Sequence, residues 1–426
     1  MKPISLFFIS TFCFIFISGL FVFTSSFVLA TDLVEESWSS KASMQQARGG
    51  LGVVAVDGKI YAMGGKTTGD GFVGTNERYD PKTDTWTTLE PMPTYRAYFA
   101  VAAFEGKIYC IGGLGKGGGC GVNEVYDTVS GSWSSMASLP VSSGNLQGGV
   151  VGGKIFVLSG CDLFMYDPAM DGWVQKNSVF GGSMAGSNFA TLTVVDDSLI
   201  VVGNFTSSVS SSNLRVRLYN PQTDEWREGA KPSFGVVRGV VGATSGLFAS
   251  ERVYFFGTST AVVEYPGYSQ TFVDLRPVTM VYDPVKSVWS TGKATANRVD
   301  FGVAVVDDVL YVIGGFSVIS EETVITVGRE DYVSGSMHFE THTVYEQISV
   351  SRPVVGGATA LNMQYVPIGY DGSAVTVPSN SSPSGSDGGS FWGFFNGFVV
   401  VGVLVLMIAV IAAGVVLHFK KRRVHN

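Results

Sequence analysis

The chain has 426 residues, with Lys+Arg 28 against Asp+Glu 35 and a formal net charge of -7. Gly 54, aromatics at 12% and charged residues at only 15% describe a turn-rich, core-rich chain rather than a disordered one, and the acidic balance lacks the basic field that phosphate contacts need. Disordered and nucleic-acid-binding classes are thereby disfavoured, and an all-β, membrane-associated protein is the expectation.

Residues 1–30 carry Lys2, a long uncharged apolar stretch, and Val28-Leu29-Ala30 before polar Thr31-Asp32. This is expected to be a signal peptide cleaved after Ala30. The apolar run exceeds the roughly 7 to 15 residues of a signal core, so an uncleaved N-terminal anchor stands as the alternative. Both send the following chain across a membrane.

Trp38 comes next, alone, and then an internal repeat begins. Tyr79 precedes Trp86 by seven residues, and the same interval separates Tyr126 from Trp133, Tyr166 from Trp173, Tyr219 from Trp226 and Tyr282 from Trp289. The text between them (YDPKTDTW, YDTVSGSW, YDPAMDGW, YNPQTDEW, YDPVKSVW) centres on Pro, Asp, Asn, Gly and Ser, which predicts two short strands joined by a tight turn. Upstream of each Tyr lies a strand, a turn and a second strand that ends in glycine. The clearest copies end at Gly64-Gly65, Gly112-Gly113 and Gly314-Gly315, with weaker ones at Gly160, Gly203 and Gly257. Six copies are counted.

Gly314-Gly315 has no Trp after it before the second apolar segment, so the strand around Trp38 is expected to complete the last unit. Its third strand has two candidates, Tyr345 and Tyr365. Tyr365 is preferred, because Asn362 to Pro367 matches Asn76 to Pro81 in the first unit, and residues 316–357 then form an insertion whose polar and apolar residues alternate as an added hairpin would. Residues 371–390 are a Ser/Gly/Pro-rich stalk. Residues 391–417 run from Phe391 to Leu417 without a charge, and since roughly 20 apolar residues cross the hydrocarbon core, a transmembrane helix is expected. Lys420, Lys421, Arg422 and Arg423 then mark residues 418–426 as a short cytoplasmic tail, leaving the main body outside a cell membrane in a single-pass protein. Setting these four cations and Lys2 aside leaves 23 Lys+Arg against 35 Asp+Glu in that body.

The glycine doublets with the Tyr and Trp seven apart resemble the kelch repeat, over about residues 31–370. The resemblance implies that each unit is a four-stranded blade and that the blades close into a ring. Without the insertion, 31–370 allows about 50 residues per blade. The expected fold is therefore all-β, a six-bladed kelch-type β-propeller closed by the N-terminal strand, with one C-terminal membrane helix.

Candidate site residues are few. Arg48, Arg96 and Arg298 each stand 16 residues before the first glycine of a doublet, and Arg238 holds the same place in the fifth unit. First strands line a propeller axis, so these four are read either as a cationic collar for a carboxylate or acidic peptide, or as part of the kelch pattern bonding blade to blade. His338 and His342 lie in the insertion as MHFETH, where a metal pair is set against plain surface histidines, and no metal or cofactor is expected. Galactose oxidase shares the kelch fold, but no match to its copper ligands is found here. Gly112 to Gly121 lacks the ending of a phosphate loop and reads as a mobile loop. Cys110 reads as a small buried thiol, whereas Cys120 and Cys161 are candidates for a disulfide. Asn204 and Asn380 head N-glycosylation triplets in loop-like surroundings.

These features imply a non-enzymatic cell-surface module binding an extracellular protein or glycan through propeller loops. The alternative is a kelch-propeller enzyme acting on cell-envelope carbohydrate, as a sugar epimerase or sialidase does. A carboxylate pair with a raised pKa at the axial mouth would favour that alternative.

Overall fold

The computed structural model describes residues 36–370, less 70, 181–188, 205–213, 233–237, 265–270, 295–296, 336–337 and 368–369. The chain divides into two compact units, Met1–Thr376 and Val377–Asn426, and every described residue falls in the first. The expected leader, stalk, membrane helix and tail lie outside the described residues; within them no helix is long and apolar enough to cross a membrane.

Hairpins build the fold. Between first and second strands the turn residues are Asp57-Gly58, Glu105-Gly106 and Asp307-Asp308, all with φ between 49° and 69°. Tight antiparallel hairpins require that left-handed pair, which Gly and Asp adopt at little steric cost. Two such hairpins in succession make one sheet, as in Gly52–Val56, Lys59–Met63, Asn76–Asp80 and Thr85–Leu89. Six four-stranded antiparallel sheets arise this way, and a three-stranded sheet is added beside them. Sheets one to six start at Gly52, Ala100, Gln147, Phe189, Arg238 and Gly302.

The sixth sheet is completed by the start of the described chain. Ser37–Lys41 lies outermost, against Asn362–Val366, and Trp38 stands opposite Tyr365. Tyr79 and Trp86 face each other in the same way in sheet one, as do Tyr126 and Trp133 in sheet two. Tyr365 is thus the partner chosen over Tyr345, and 316–357 falls between second and third strands as expected.

Neighbouring sheets meet in a closed order. The first strands of sheets one to six adjoin in sequence, and that of sheet six adjoins that of sheet one. Each sheet's tryptophan indole donates to a carbonyl just beyond the fourth strand of the preceding sheet: Trp86 to Ala42, Trp133 to Glu90, Trp173 to Ala137, Trp226 to Asn177, Trp289 to Ala230 and Trp38 to Lys293, at 2.7 to 3.0 Å. Six apolar clusters fill the seams, one for each pair of neighbours. Each sheet therefore buries both faces, which is why its second strand is a continuous apolar run, as in Ile155 to Leu158. The arrangement is consistent with a β-propeller.

The sequence-based reading needs four corrections. Gly112 to Gly121 is not a mobile loop: the second and third strands of sheet two extend through Lys107–Gly115 and Gly118–Asp127, and only Lys116-Gly117 separates them. The strand ending in Gly257 runs on to Glu264 and pairs with Thr271–Asp283, so sheet five also bears a lengthened hairpin. Asn204 is the last residue of a strand, opposite Phe189 and Leu214, rather than part of a loop. The insertion is a hairpin of Phe316–Gly335 and His338–Ala358, but Arg298-Val299 pairs with Ser317 and Phe316, making it a sheet of its own.

Candidate functional site

The four arginines were the sharpest candidates, and for three of them the structure decides against an open collar. Arg48 and Arg96 are wholly buried and Arg298 is 2% exposed. Arg48 pairs with buried Glu77 and donates to the Ala62 carbonyl. Arg96 pairs with Glu124 at 2.8 Å and donates to the Cys110 carbonyl at 2.7 Å. Their carbonyls meanwhile accept from Gly315 and Gly65, the second glycines of the preceding sheets' doublets. The guanidinium thus ties down its own sheet while the backbone ties that sheet to its neighbour. The Nε atoms of Arg48, Arg96 and Arg298 have no hydrogen-bond partner but are buried, so no donor faces a ligand at the surface, and desolvation lowers the Arg48 pKa despite Glu77. Arg238 begins the first strand of sheet five, and its side chain lies outside the described residues.

The glutamates were overlooked. In each of these two sheets an Asn-Glu pair precedes the repeat tyrosine, at Asn76-Glu77 before Tyr79 and at Asn123-Glu124 before Tyr126, and that was the available signal. A buried arginine needs a buried anion, so a recurring Arg with a recurring Glu one strand-pair later points to the interior.

The axis carries a channel of about 380 Å³, lined by the first strands of all six sheets. Its lining side chains are aliphatic or aromatic apart from Gln147 and Thr193. At the doublet end, left-handed residues Gly50, Tyr98, Asn145 and Asp300 ring the mouth, with φ of 55° to 61°. They are stitched by backbone bonds: Gly50 N–H to Asp300 O, Tyr98 N–H to Gly50 O, and Leu146 N–H to Tyr98 O. Gly50 is required here, because a side chain on it would stand 2.8 Å from the Tyr98 ring. The Tyr98 hydroxyl crosses above it to Asp300 at 3.0 Å. On this same end project the lengthened hairpins of sheets two, five and six. Those of sheets five and six lie alongside each other.

The opposite end is acidic. Asp308 is 2% exposed and accepts from Ser245 N–H and Oγ–H and from the Phe248 and Ala249 N–H groups, clamping the long loop of sheet five. Although burial works against its charge, those donors hold its pKa below the usual carboxylate range. Glu251, on the same loop, shares a hydrogen bond with Asp196 at the turn of sheet four. Burial, and then Asp196, raise its pKa. A second cavity, about 490 Å³, opens between the outer strand of sheet five and the closing strand, with Glu36, Arg252, Tyr254 and Lys293 on its walls.

The remaining candidates separate. Cys120 and Cys161 form no disulfide: both thiols are free, Cys120 half-buried opposite Gly113 and Cys161 in the core cluster between sheets three and four. Cys110 is wholly buried as expected, and desolvation pushes its thiol up to about 12. His338 and His342 face Gly335 and Asp331 across the insertion hairpin, and their side chains lie outside the described residues, as does Asn380.

Two consecutive stretches, residues 47–93 and 95–140, match the Kelch motif family. They correspond to sheets one and two, each with its arginine, doublet, tyrosine and tryptophan. No curated protein matches the chain. Kelch repeats typically mediate binding between proteins.

Proposed function

We propose that the protein is a six-bladed kelch propeller held outside a cell membrane by residues 391–417, and that it is a non-enzymatic module binding an extracellular protein or glycan. The observation that carries this reading is the asymmetry between the two ends of the sheets. At the doublet end three hairpins are lengthened among the described residues, that of sheet six by the Phe316–Ala358 hairpin. At the other end the turns of sheets one to four and six keep two residues. A rigid ring with long connections on one end is how a β scaffold presents a recognition surface. The buried arginines take no part, so the surface consists of the hairpins and the Tyr98–Asp300 mouth.

The test is capture from the protein's own cells by cross-linking to the full-length chain, followed by mass spectrometry. The hairpin from Ser320 to Pro353 is then replaced by a two-residue turn in a variant whose thermal unfolding is unchanged. A specific partner that disappears with the hairpin supports the reading, and a partner captured equally well by both chains refutes the assignment of the face.

One observation favours the carbohydrate-enzyme alternative. The Glu251–Asp196 pair, with Glu251 raised, follows the strand of sheet four whose Thr193 and Val194 line the axial channel, and an acid and a base so paired could share a substrate. Turnover of envelope glycan that is lost in Glu251→Gln would establish it.

A further inference from the structure

Three sheets keep a described arginine at the head of the first strand, and two of the three keep its carboxylate. Sheets one, two and six align at this point through a shared asparagine: Asn76, Asn123 and Asn362 each donate to a carbonyl beyond a fourth strand, at Glu90, Ala137 and Ala42. The next residue is Glu77, Glu124 and, in sheet six, Met363. The charge that neutralises Arg48 and Arg96 is therefore missing beside Arg298.

Arg298 is as enclosed as the other two and keeps the aromatic neighbour, lying 5.7 Å from the Phe301 ring as Arg96 lies 5.6 Å from Phe99. Its other partners are carbonyls alone. One terminal nitrogen donates to Gly314 at 2.8 Å and, more weakly, to Leu361 at 3.4 Å; the other reaches Val312 at 3.5 Å, where Arg48 and Arg96 make the equivalent bond at 2.8 and 2.7 Å. Among the described residues no carboxylate pairs with it, and desolvation brings its pKa down to about 10 with nothing opposing. A guanidinium out of water with no counter-charge is among the costliest arrangements in a protein interior.

We propose that Arg298 holds a small inorganic anion, of the size and charge of chloride, in the place that a glutamate fills in sheets one and two. Met363 is a poor obstacle: it is half-buried, its chain is unbranched with three rotatable bonds, and its sulfur takes only a weak bond from the Ser40 hydroxyl at 3.5 Å. The site also sits at the root of the insertion. Arg298 pairs with Ser317 on the first strand of the long hairpin, and Val318 donates to the Asn297 carbonyl at 2.9 Å. Occupancy therefore fixes the base from which that hairpin projects.

The experiment compares thermal unfolding of the purified full-length chain in sodium chloride and in sodium gluconate at constant ionic strength, gluconate being too large for a buried site. The midpoint is expected to rise by about 2 °C or more with chloride and then to saturate, as binding to the folded state alone requires. Met363→Glu is expected to match or exceed that midpoint in gluconate and to lose the chloride response, while Met363→Gln keeps it. A wild-type midpoint indifferent to chloride, or an unchanged response in Met363→Glu, overturns the proposal. Should Met363→Glu fail to fold, crystals soaked in bromide decide. Anomalous density within hydrogen-bonding reach of the Arg298 guanidinium supports the site, and density only elsewhere overturns it.

Discussion

Glu124→Gln isolates the pair on which the arrangement of the arginines rests. The Arg96 side chain is fully enclosed and that of Glu124 is 5% exposed, with 2.8 Å between their charged atoms. Glu124 also accepts from the Thr94 hydroxyl at 2.7 Å and its N–H at 3.3 Å, so one carboxylate satisfies three donors. The amide keeps the volume but removes the charge and turns a donor toward another donor. Uncovering one member of a buried pair costs about 3 to 5 kcal/mol, whereas replacing both by apolar residues of similar size is often neutral. Glu124→Gln is therefore expected to lose about 3 kcal/mol or more in urea unfolding followed by tryptophan fluorescence, which samples every seam. Arg96→Met with Glu124→Leu should return to within about 1 to 2 kcal/mol of wild type. A single variant within about 1 kcal/mol of wild type, or a double variant as unstable as the sum of the singles, refutes the claim that burial of charge governs this position.

Further outcomes follow from other seams and ends. Asp308 has a depressed folded pKa, so its contribution is complete above the unfolded value of about 3.9 and is lost as pH falls through the folded one. Asp308→Asn should weaken the protein at pH 7 and flatten the loss of stability below about pH 4 in acid-dependent urea titrations, and an unaltered acid slope would count against the clamp. In thiol titration of the native chain at pH 8, Cys120 should react and Cys110 should appear only on unfolding, since its thiol is pushed up to about 12 and is wholly buried. Trp38→Phe removes the indole bond to Lys293 that closes the circuit and should cost about 1 kcal/mol for that bond, with faster hydrogen exchange in Ser37–Lys41 than in any other fourth strand.

Much of this fold was legible because its recurring residues each perform one local task. The seven-residue interval between Tyr and Trp is the length of a two-stranded turn, and it appears as the facing pairs Tyr79–Trp86 through Tyr282–Trp289. Tyr365 was identifiable from its flanking Asn and Pro, although its tryptophan lies 327 residues away at Trp38. The lengths of hairpins were not legible, because glycine-rich text such as Gly115 to Gly121 carries no alternation to mark a strand. Backbone pairing alone set those limits. Which of the two readings of the arginines holds was not legible, for a different reason. Their spacing placed them at the head of the first strands, but whether a charge there faces water or protein depends on a partner 28 or 29 residues downstream on another strand.

The same logic explains where this chain is free to vary. The turn between third and fourth strands is not spare, since Asp84, Asp171 and Asp224 in it accept both from their own sheet's tyrosine hydroxyl and from a backbone N–H of the preceding sheet, at Ala42, Ala137 and Asn177. The doublet is fixed as well, because a side chain on Gly64 would stand 2.7 Å from the Arg96 carbonyl across the seam. Five residues before the repeat tyrosine the carbonyls of Gly74, Gly121, Cys161 and Ala360 still accept from Met92, Leu139, Val179 and Met44, but between the doublet and that point no bond to a neighbouring sheet recurs among the described residues. Residues added there lengthen a hairpin without disturbing the ring, as they do after Gly113, after Gly257 and, at greatest length, after Gly315. The ring thus confines its tolerance for insertion to one end, the end on which the proposed recognition surface lies.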